Sequence, residues 1–248
     1  MAVVAKICSY FLSFLFYLIF GLLLLLFDPI QRVCLKVFGY NAHRKSVYTF
    51  NALVLRSLHL LGIRYRFNSP FPLPVNKPVI IVSNHQSMWE IPPIIWFLRK
   101  LQPKFIAKKE LGKGIPTISY NLKHGGSVLI DRKDADQAAR EIKKMADYIS
   151  KHNRSVVIFP EGTRSRNGIP KPFKRKGLEI LFSEARDAYV LPVSVNNSWK
   201  LQRYGTFPIP LGIQVTFDVH PALKVGDYPV HNLINLVEQQ IIEKVHTD

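Results

Sequence analysis

Charge of either sign is missing from one long run near the start of this chain, and acid is missing from a much longer stretch. From Ile7 to Phe27 the sequence ICSYFLSFLFYLIFGLLLLLF holds no charged residue. From Pro29 to Trp89 there is no Asp or Glu, although Arg32, Lys36, Arg44, Lys45, Arg56, Arg64, Arg66 and Lys77 all fall there. Cysteine is nearly absent: Cys8 and Cys34 are the only two, and neither has metal-ligand spacing. That excludes a disulfide scaffold and a cysteine-based zinc site, and it fits a reducing compartment. No histidine–carboxylate cluster has the spacing of metal ligands, so no metal is expected. There is no Gly-x-Ser-x-Gly elbow, no internal repeat and no recognised nucleic-acid motif.

The 248 residues suffice for one well-buried domain with a short appendage. The net charge of +17 calls for anionic partners. Nucleic acid would account for the charge but not for the charge-free run, so no nucleic-acid partner is expected. Anionic lipid and phosphorylated substrates remain.

A helix of about 20 residues crosses the hydrocarbon core of a bilayer, and residues 7–27 are just long enough. A signal peptide is the competing reading, because Lys6 precedes the run. The run is too long for a typical signal core, and Asp28-Pro29 and Arg32 follow it instead of a small-x-small cleavage site. A retained membrane segment is therefore expected, either spanning the bilayer or lying in one leaflet. Basic residues are denser after it than before it, which places the body of the protein in the cytoplasm. Residues 47–62 (VYTFNALVLRSLHLLG) form a basic amphipathic helix in which Leu53, Leu55, Leu58 and Leu61 supply an apolar stripe. Such a helix suits an anionic membrane surface or a groove on the catalytic domain.

Residues 68–78 (NSPFPLPVNKP) break the pattern with four prolines. They divide the chain into a membrane-associated part, 1–66, and a catalytic domain, 67–248. In that domain, strands are expected at 79–83, 105–107, 127–130, 155–159, 189–195 and 212–219. Helices are expected at 91–101, 135–151, 176–185 and 230–246. The alternation predicts an α/β domain with a mixed, largely parallel sheet flanked by helices.

Two constellations carry chemistry. In Asn84-His85-Gln86-Ser87-Met88-Trp89-Glu90, an imidazole follows a strand and an acid comes five residues later. On one continuous helix these two would diverge by about 140°. They meet only if His85 lies in the turn before a helix and Glu90 in its first turn, where Pro92 and Pro93 are tolerated. The carboxylate would then fix the ring tautomer and stabilise the imidazolium. No nucleophile accompanies the pair, which leaves the substrate's own hydroxyl to attack.

In the second, the strand Ser155–Phe159 runs into Pro160-Glu161-Gly162-Thr163-Arg164. Gly162 allows close approach of a ligand, Thr163 can donate a hydrogen bond, and Arg164 offers a fork suited to phosphate. Glu161 would repel a phosphate unless it holds an arginine or accepts from a substrate hydroxyl.

These two blocks in this order resemble the glycerolipid acyltransferases, which include bacterial and eukaryotic 1-acylglycerol-3-phosphate acyltransferases. Lys108-Lys109-Glu110-Leu111, the run from Gly126 to Arg132 and Leu191-Pro192-Val193 resemble three further blocks of that family, over roughly residues 70–200. Most members carry aspartate where this chain has Glu90. The resemblance implies transfer of a fatty acyl group from acyl-CoA or acyl carrier protein, as co-substrate and with no further cofactor. The acceptor it implies is the sn-2 hydroxyl of 1-acylglycerol 3-phosphate (lysophosphatidate), in phospholipid biosynthesis. It implies catalysis by His85 and Glu90, and a phosphate clamp of Arg132 and Arg164 with Lys109. It also implies a glycerol seat made by Glu161, Gly162 and Thr163. Membrane lipids would be partners, and the active site would face the cytoplasm, at a bacterial inner membrane. Other lysophospholipids, a lyso-aminolipid and a non-catalytic lipid-binding role are the alternatives.

Overall fold

A computed structural model describes residues 2–246. At its centre lies β2 (Val79–Ser83), every residue of which is buried. Its β-branched run VIIV suits a strand covered on both faces. β2 pairs in parallel with β5 (Ser155–Ile158) on one side and β6 (Tyr189–Asn196) on the other. Beyond β5 come β3 (Pro103–Lys108) and β4 (Val128–Ile130), both parallel. Beyond β6 the direction reverses at β7 (Gln214–Val219), which pairs in parallel with β1 (Arg64–Asn68). The short β8 (Leu223–Lys224) also runs antiparallel to β6. The mixed, largely parallel sheet therefore has the order β1-β7-β6-β2-β5-β3-β4.

Alternate residues of β2 feed two cores, as the two-residue period of a strand requires. Val79 and Ile81 point to one face, Ile80 and Val82 to the other. The second face is covered by α4 (Ala135–His152), α5 (Arg175–Glu184) and α6 (Val230–Glu243). The first face is covered by α2 (Ile91–Phe97), α3 (Ile118–His124) and the long N-terminal helix α1 (Ala2–Leu58). The break expected at residues 68–78 separates β1 from β2. The boundary expected between residues 66 and 67 falls inside β1, which is a full member of the sheet.

The two N-terminal segments read separately from the sequence are two helical arms joined end to end in α1. They meet at Gly39, whose φ of 77° and ψ of −174° interrupt the helical geometry. In the second arm the stripe facing the domain is Phe50, Val54, Leu55, Leu58 and Leu61. Leu53, expected in that stripe, is exposed, because the arm is rotated to present Val54 instead. This arm is docked on the domain, packing against α2.

The first arm is apolar enough and long enough to cross a membrane. It is nevertheless tied along its length to the catalytic domain. Ser9 donates to the carbonyl of Ile209 at 2.8 Å, and Ser13 accepts from the Ile209 amide at 2.9 Å. Phe16 and Phe20 pack edge-on against the buried Trp89. Farther along, Thr117 donates its amide to Asp28 and its hydroxyl to the Leu24 carbonyl, each at 2.8 Å. Those two bonds hold Thr117 at φ 65°, a conformation rarely adopted by a β-branched residue. The opposite face of the arm leaves Ile7, Phe11, Phe14, Leu18, Leu22 and Leu25 exposed, at helical spacing.

The remaining expected elements are present with shifted ends: β3, expected at 105–107, runs over Pro103–Lys108, whereas β7 and α6 are shorter than expected. The helix expected at 91–101 stops at Phe97 and continues as a tight turn over Arg99–Leu101. α3 and β1 carry no strong periodic signal and were not expected.

Candidate active site

Because β6, β2, β5, β3 and β4 are parallel, the chain segments leaving their C-terminal ends lie along one edge of the sheet. That edge is where open α/β sheets bind ligands. His85 follows β2, Glu161–Arg164 follow β5, Lys109 follows β3, Arg132 follows β4, and the turn Ser198–Gln202 follows β6. With strands about 4.8 Å apart, β3 and β4 lie roughly 10 Å and 14 Å from β2. One edge thus holds an imidazole in its middle and basic side chains to one side.

The His85–Glu90 pair forms as the spacing requires. His85 sits in the turn after β2, and Glu90 closes the short 3-10 turn Met88–Glu90 that leads into α2. The local sequence explains the geometry. Ser87 and Glu90 form a capping box: Ser87 Oγ accepts from the Trp89 amide, while Glu90 Oε1 accepts from the Ser87 amide at 2.6 Å. Glu90 Oε1 also accepts from the Gln86 amide at 2.7 Å. The same carboxylate that starts the helix is therefore locked by two amides, and its Oε2 is left 2.7 Å from His85 Nδ1. Glu90 is 0% exposed, so little water competes for it. The imidazole stacks on Phe159, with centroids 4.2 Å apart. Among the described residues no hydroxyl or thiol hydrogen-bonds to that ring.

The second block is fastened to the first. Glu161 Oε1 accepts from the His85 amide at 2.8 Å and Oε2 from the Lys171 amide at 3.1 Å. The Ser165 amide donates to the His85 carbonyl at 2.7 Å. Glu161 was expected to hold an arginine or a substrate hydroxyl. Instead it is 2% exposed and spends its oxygens on two backbone amides, so it positions the His85 turn against the β5 loop. Burial is the main cause raising its pKa above the ordinary carboxylate range, and the two amide hydrogen bonds oppose the rise. Gly162 takes φ 70° in a turn closed by its amide on the Phe159 carbonyl at 3.0 Å. A Cβ there would also crowd the Lys174 side chain at 3.1 Å.

The remaining expected residues lie at the surface of the same edge. Thr163, Arg132 and Arg164 are exposed. Arg164 Nη1 donates to Gln202 Oε1 at 3.0 Å, and the Lys171 ammonium donates to the Arg164 carbonyl at 3.1 Å. Lys109 stands 3.8 Å from Asp131, a loose surface pair that leaves its ammonium open to water. Lys109 and Arg132 are thus joined to the edge through the ends of β3 and β4, two and three strands from His85.

Sequence reasoning missed the supporting residues. Asn84 pairs both of its amide atoms with the main chain of Val195, which locks the end of β2 to β6. Gln86 Oε1 accepts from the Ser198 amide at 3.0 Å, and Ser87 Oγ lies 2.5 Å from Ser198 Oγ. Gln202 reaches Arg164 from a turn that no periodicity marks. Asn84, Gln86 and Ser87 at least flank His85 in sequence, and that adjacency was the available signal.

Comparison with known proteins matches residues 64–196 to the family model described as Acyltransferase. A 1-acyl-sn-glycerol-3-phosphate acyltransferase of Borreliella burgdorferi is 30% identical over 208 residues, covering 82% of this chain and 80% of that protein. The protein of that name from Pseudomonas aeruginosa is 32% identical over 65% of this chain and 60% of its own length. The mouse protein 1-acyl-sn-glycerol-3-phosphate acyltransferase alpha is 33% identical over 69% of this chain and 58% of its own length. The crystal structure of the 1-acyl-sn-glycerophosphate acyltransferase PlsC from Thermotoga maritima has the same fold, with a TM-score of 0.80 and 24% identity over 96% of this chain and 95% of that one. With the family match spanning more than half of the residues, from β1 to the end of β6, this chain belongs to the glycerolipid acyltransferase family and is an acyltransferase.

Proposed function

We propose that the chain transfers a fatty acyl group from an acyl thioester to the sn-2 hydroxyl of 1-acylglycerol 3-phosphate, making phosphatidate. The donor is acyl-CoA or acyl carrier protein. The observation that carries the mechanism is the His85–Glu90 pair: it has an oriented base and, among the described residues, no protein nucleophile on the ring. The acceptor hydroxyl gives its proton to the imidazole as its oxygen bonds to the thioester carbon. The C–S bond then breaks, and the departing sulfur takes the proton back from the imidazolium. Glu90 stabilises that imidazolium and keeps Nδ1 protonated, so that Nε2 is free to act as base. Arg164, Lys109 and Arg132 hold the acceptor phosphate, and Thr163 and Gly162 border the glycerol. Glu161 acts through the His85 turn rather than on the substrate. The activity named for the Borreliella and Pseudomonas relatives supports this acceptor.

The reading of the membrane placement is supported by α1. Its first arm is pinned to the domain at Ser9, Ser13, Leu24 and Asp28, so it lies along the protein with its other face free. That free apolar face enters one leaflet and holds the active-site edge at the lipid–water boundary, on the cytoplasmic side.

The test is an acceptor panel. Purified full-length chain in phospholipid nanodiscs is given labelled acyl-CoA or acyl carrier protein with lysophosphatidate, glycerol 3-phosphate, lysophosphatidylcholine or a lyso-aminolipid. Phosphatidate should form at least tenfold faster than any other product. Preference for an acceptor lacking a phosphate monoester would refute the reading.

A further inference from the structure

The run from the β5 loop to the start of α5 carries Lys171, Lys174 and Arg175, and the structure uses them differently. The Lys171 ammonium donates to the Arg164 carbonyl at 3.1 Å, and the Lys171 amide is one of the two that hold Glu161. Arg175 reaches α6, where its Nη2 donates to Asn235 Oδ1 at 2.6 Å and stands 3.7 Å from Glu238. Lys174 does neither. Its backbone is fixed, because its amide donates to the Pro160 carbonyl at 2.9 Å. Its exposed side chain bends back over the β5 loop. A Cβ on Gly162 would stand 3.1 Å from Lys174 Cδ and Nζ and 3.2 Å from Cε, so the end of the lysine lies across the bare face of that glycine. No ion pair among the described residues includes Lys174.

The turn beneath this ammonium has donors to spare. The Gly162 amide closes the turn on Phe159, but no hydrogen bond among the described residues takes up the amides of Thr163 and Arg164. Arg164 spends Nη1 on Gln202 and keeps further N–H groups of its fork. The loop's own acid, Glu161, is turned inward onto two backbone amides. The outer side of the turn therefore presents an ammonium, a guanidinium and two backbone N–H groups. A phosphate monoester, with several peripheral oxygens and negative charge, is the ligand that such donors satisfy.

We infer that Lys174 is a substrate-binding residue whose ammonium, reaching across Gly162, contacts the acceptor's phosphate together with Arg164. The inference rests on the acceptor proposed above. Phosphate is also present in acyl-CoA, and position decides between the two sources. The turn under Lys174 is fastened to the His85 turn through Glu161 and through the Ser165 amide, so an anion held there lies beside the base. In lysophosphatidate the phosphate sits on the carbon next to the one bearing the reacting hydroxyl. In acyl-CoA the whole pantetheine arm separates the thioester from the phosphates. The contact also gives Gly162 a second reason to be glycine, because any side chain there would push the ammonium aside.

The test uses the full-length chain in nanodiscs and two acceptors that differ only in the phosphate, lysophosphatidate and 1-acylglycerol. Lys174→Met, close in length but uncharged, should raise KM for lysophosphatidate about tenfold or more, the size of one charge-assisted hydrogen bond. Its kcat, its KM for acyl-CoA and its Tm should stay near the wild-type values, and the preference for lysophosphatidate over 1-acylglycerol should fall. Lys174→Arg should restore most of that preference. Equal losses on both acceptors, or a raised KM for acyl-CoA alone, would overturn the proposal. A wild-type preference for lysophosphatidate that survives in Lys174→Met sinks this inference only, whereas a wild type without the preference sinks the acceptor reading and this inference with it. Should the variant fail to fold, the wild type is treated with an amine-acetylating reagent and Lys174 is followed by mass spectrometry. Lysophosphatidate should shield Lys174 where 1-acylglycerol does not, and equal labelling under both would overturn the proposal.

Discussion

Replacing Glu90 by Gln isolates the oriented base from the fold that surrounds it. The amide is nearly isosteric, so its oxygen can still accept from the Gln86 and Ser87 amides, which now lie 2.7 and 2.6 Å from Glu90 Oε1. The capping box and the start of α2 should survive. What changes is the atom facing His85 Nδ1, now an oxygen at 2.7 Å. In the variant an NH₂ group stands there and donates. Nδ1 must then accept, so the ring carries its proton on Nε2, the nitrogen required as base. The variant also loses the negative charge that stabilises the imidazolium in a site where Glu90 is fully buried. The same change in a catalytic triad costs about 10⁴-fold in kcat, roughly 5.4 kcal/mol of barrier. A loss of 10³- to 10⁴-fold is expected here, with KM for the acceptor nearly unchanged and Tm close to that of the wild type. Initial rates with labelled acyl donor and lysophosphatidate, beside a thermal melt, make the measurement. A folded variant retaining more than a tenth of the wild-type rate would refute the role given to Glu90.

Other expectations follow from the same contacts. Glu161→Ala should strand the part-buried amides of His85 and Lys171, costing on the order of 2 kcal/mol and most of the activity; denaturant melts and rates check both. Because burial raises the Glu161 pKa, the folded state binds more protons than the unfolded state above the ordinary carboxylate range. Glu161 should therefore make stability fall as pH rises through that window, and Glu161→Gln should flatten the slope in melts across a pH series. Burial lowers Lys104 to about 7 from 10.5. Its contribution should be fully present above about 10.5 and lost as pH falls through about 7, with Lys104→Met lacking that dependence. His43, Arg44 and Arg154 cluster around Lys104. Phe11→Glu with Leu18→Glu should weaken binding to vesicles at least tenfold per residue in a flotation assay, since each buries about 1.5–3 kcal/mol of apolar side chain in lipid.

The sheet was legible where strands are buried on both faces. The VIIV and SVVI runs stand out because their residues are uniformly apolar and β-branched. β1 escaped because RYRFN is half-exposed at the sheet's edge, paired to β7 through backbone bonds that leave little periodic trace. α3, at seven residues, is too short to show a helical period. At the site, the five-residue spacing of His85 and Glu90 and the two prolines after them were enough to place the pair. Glu161 was misread because its partners are backbone amides, one of them 76 positions away in sequence and invisible to side-chain chemistry. The Lys104 cluster was missed for a similar reason: His43, Lys104 and Arg154 come from three elements that only packing brings together.

His85→Ala tests the central claim most directly. The purified variant in nanodiscs, with labelled acyl-CoA and lysophosphatidate, should form phosphatidate at least 10³-fold more slowly than the wild type while keeping its melting profile. Phosphatidate formed at the wild-type rate would contradict base catalysis by His85 and direct attack by the acceptor hydroxyl.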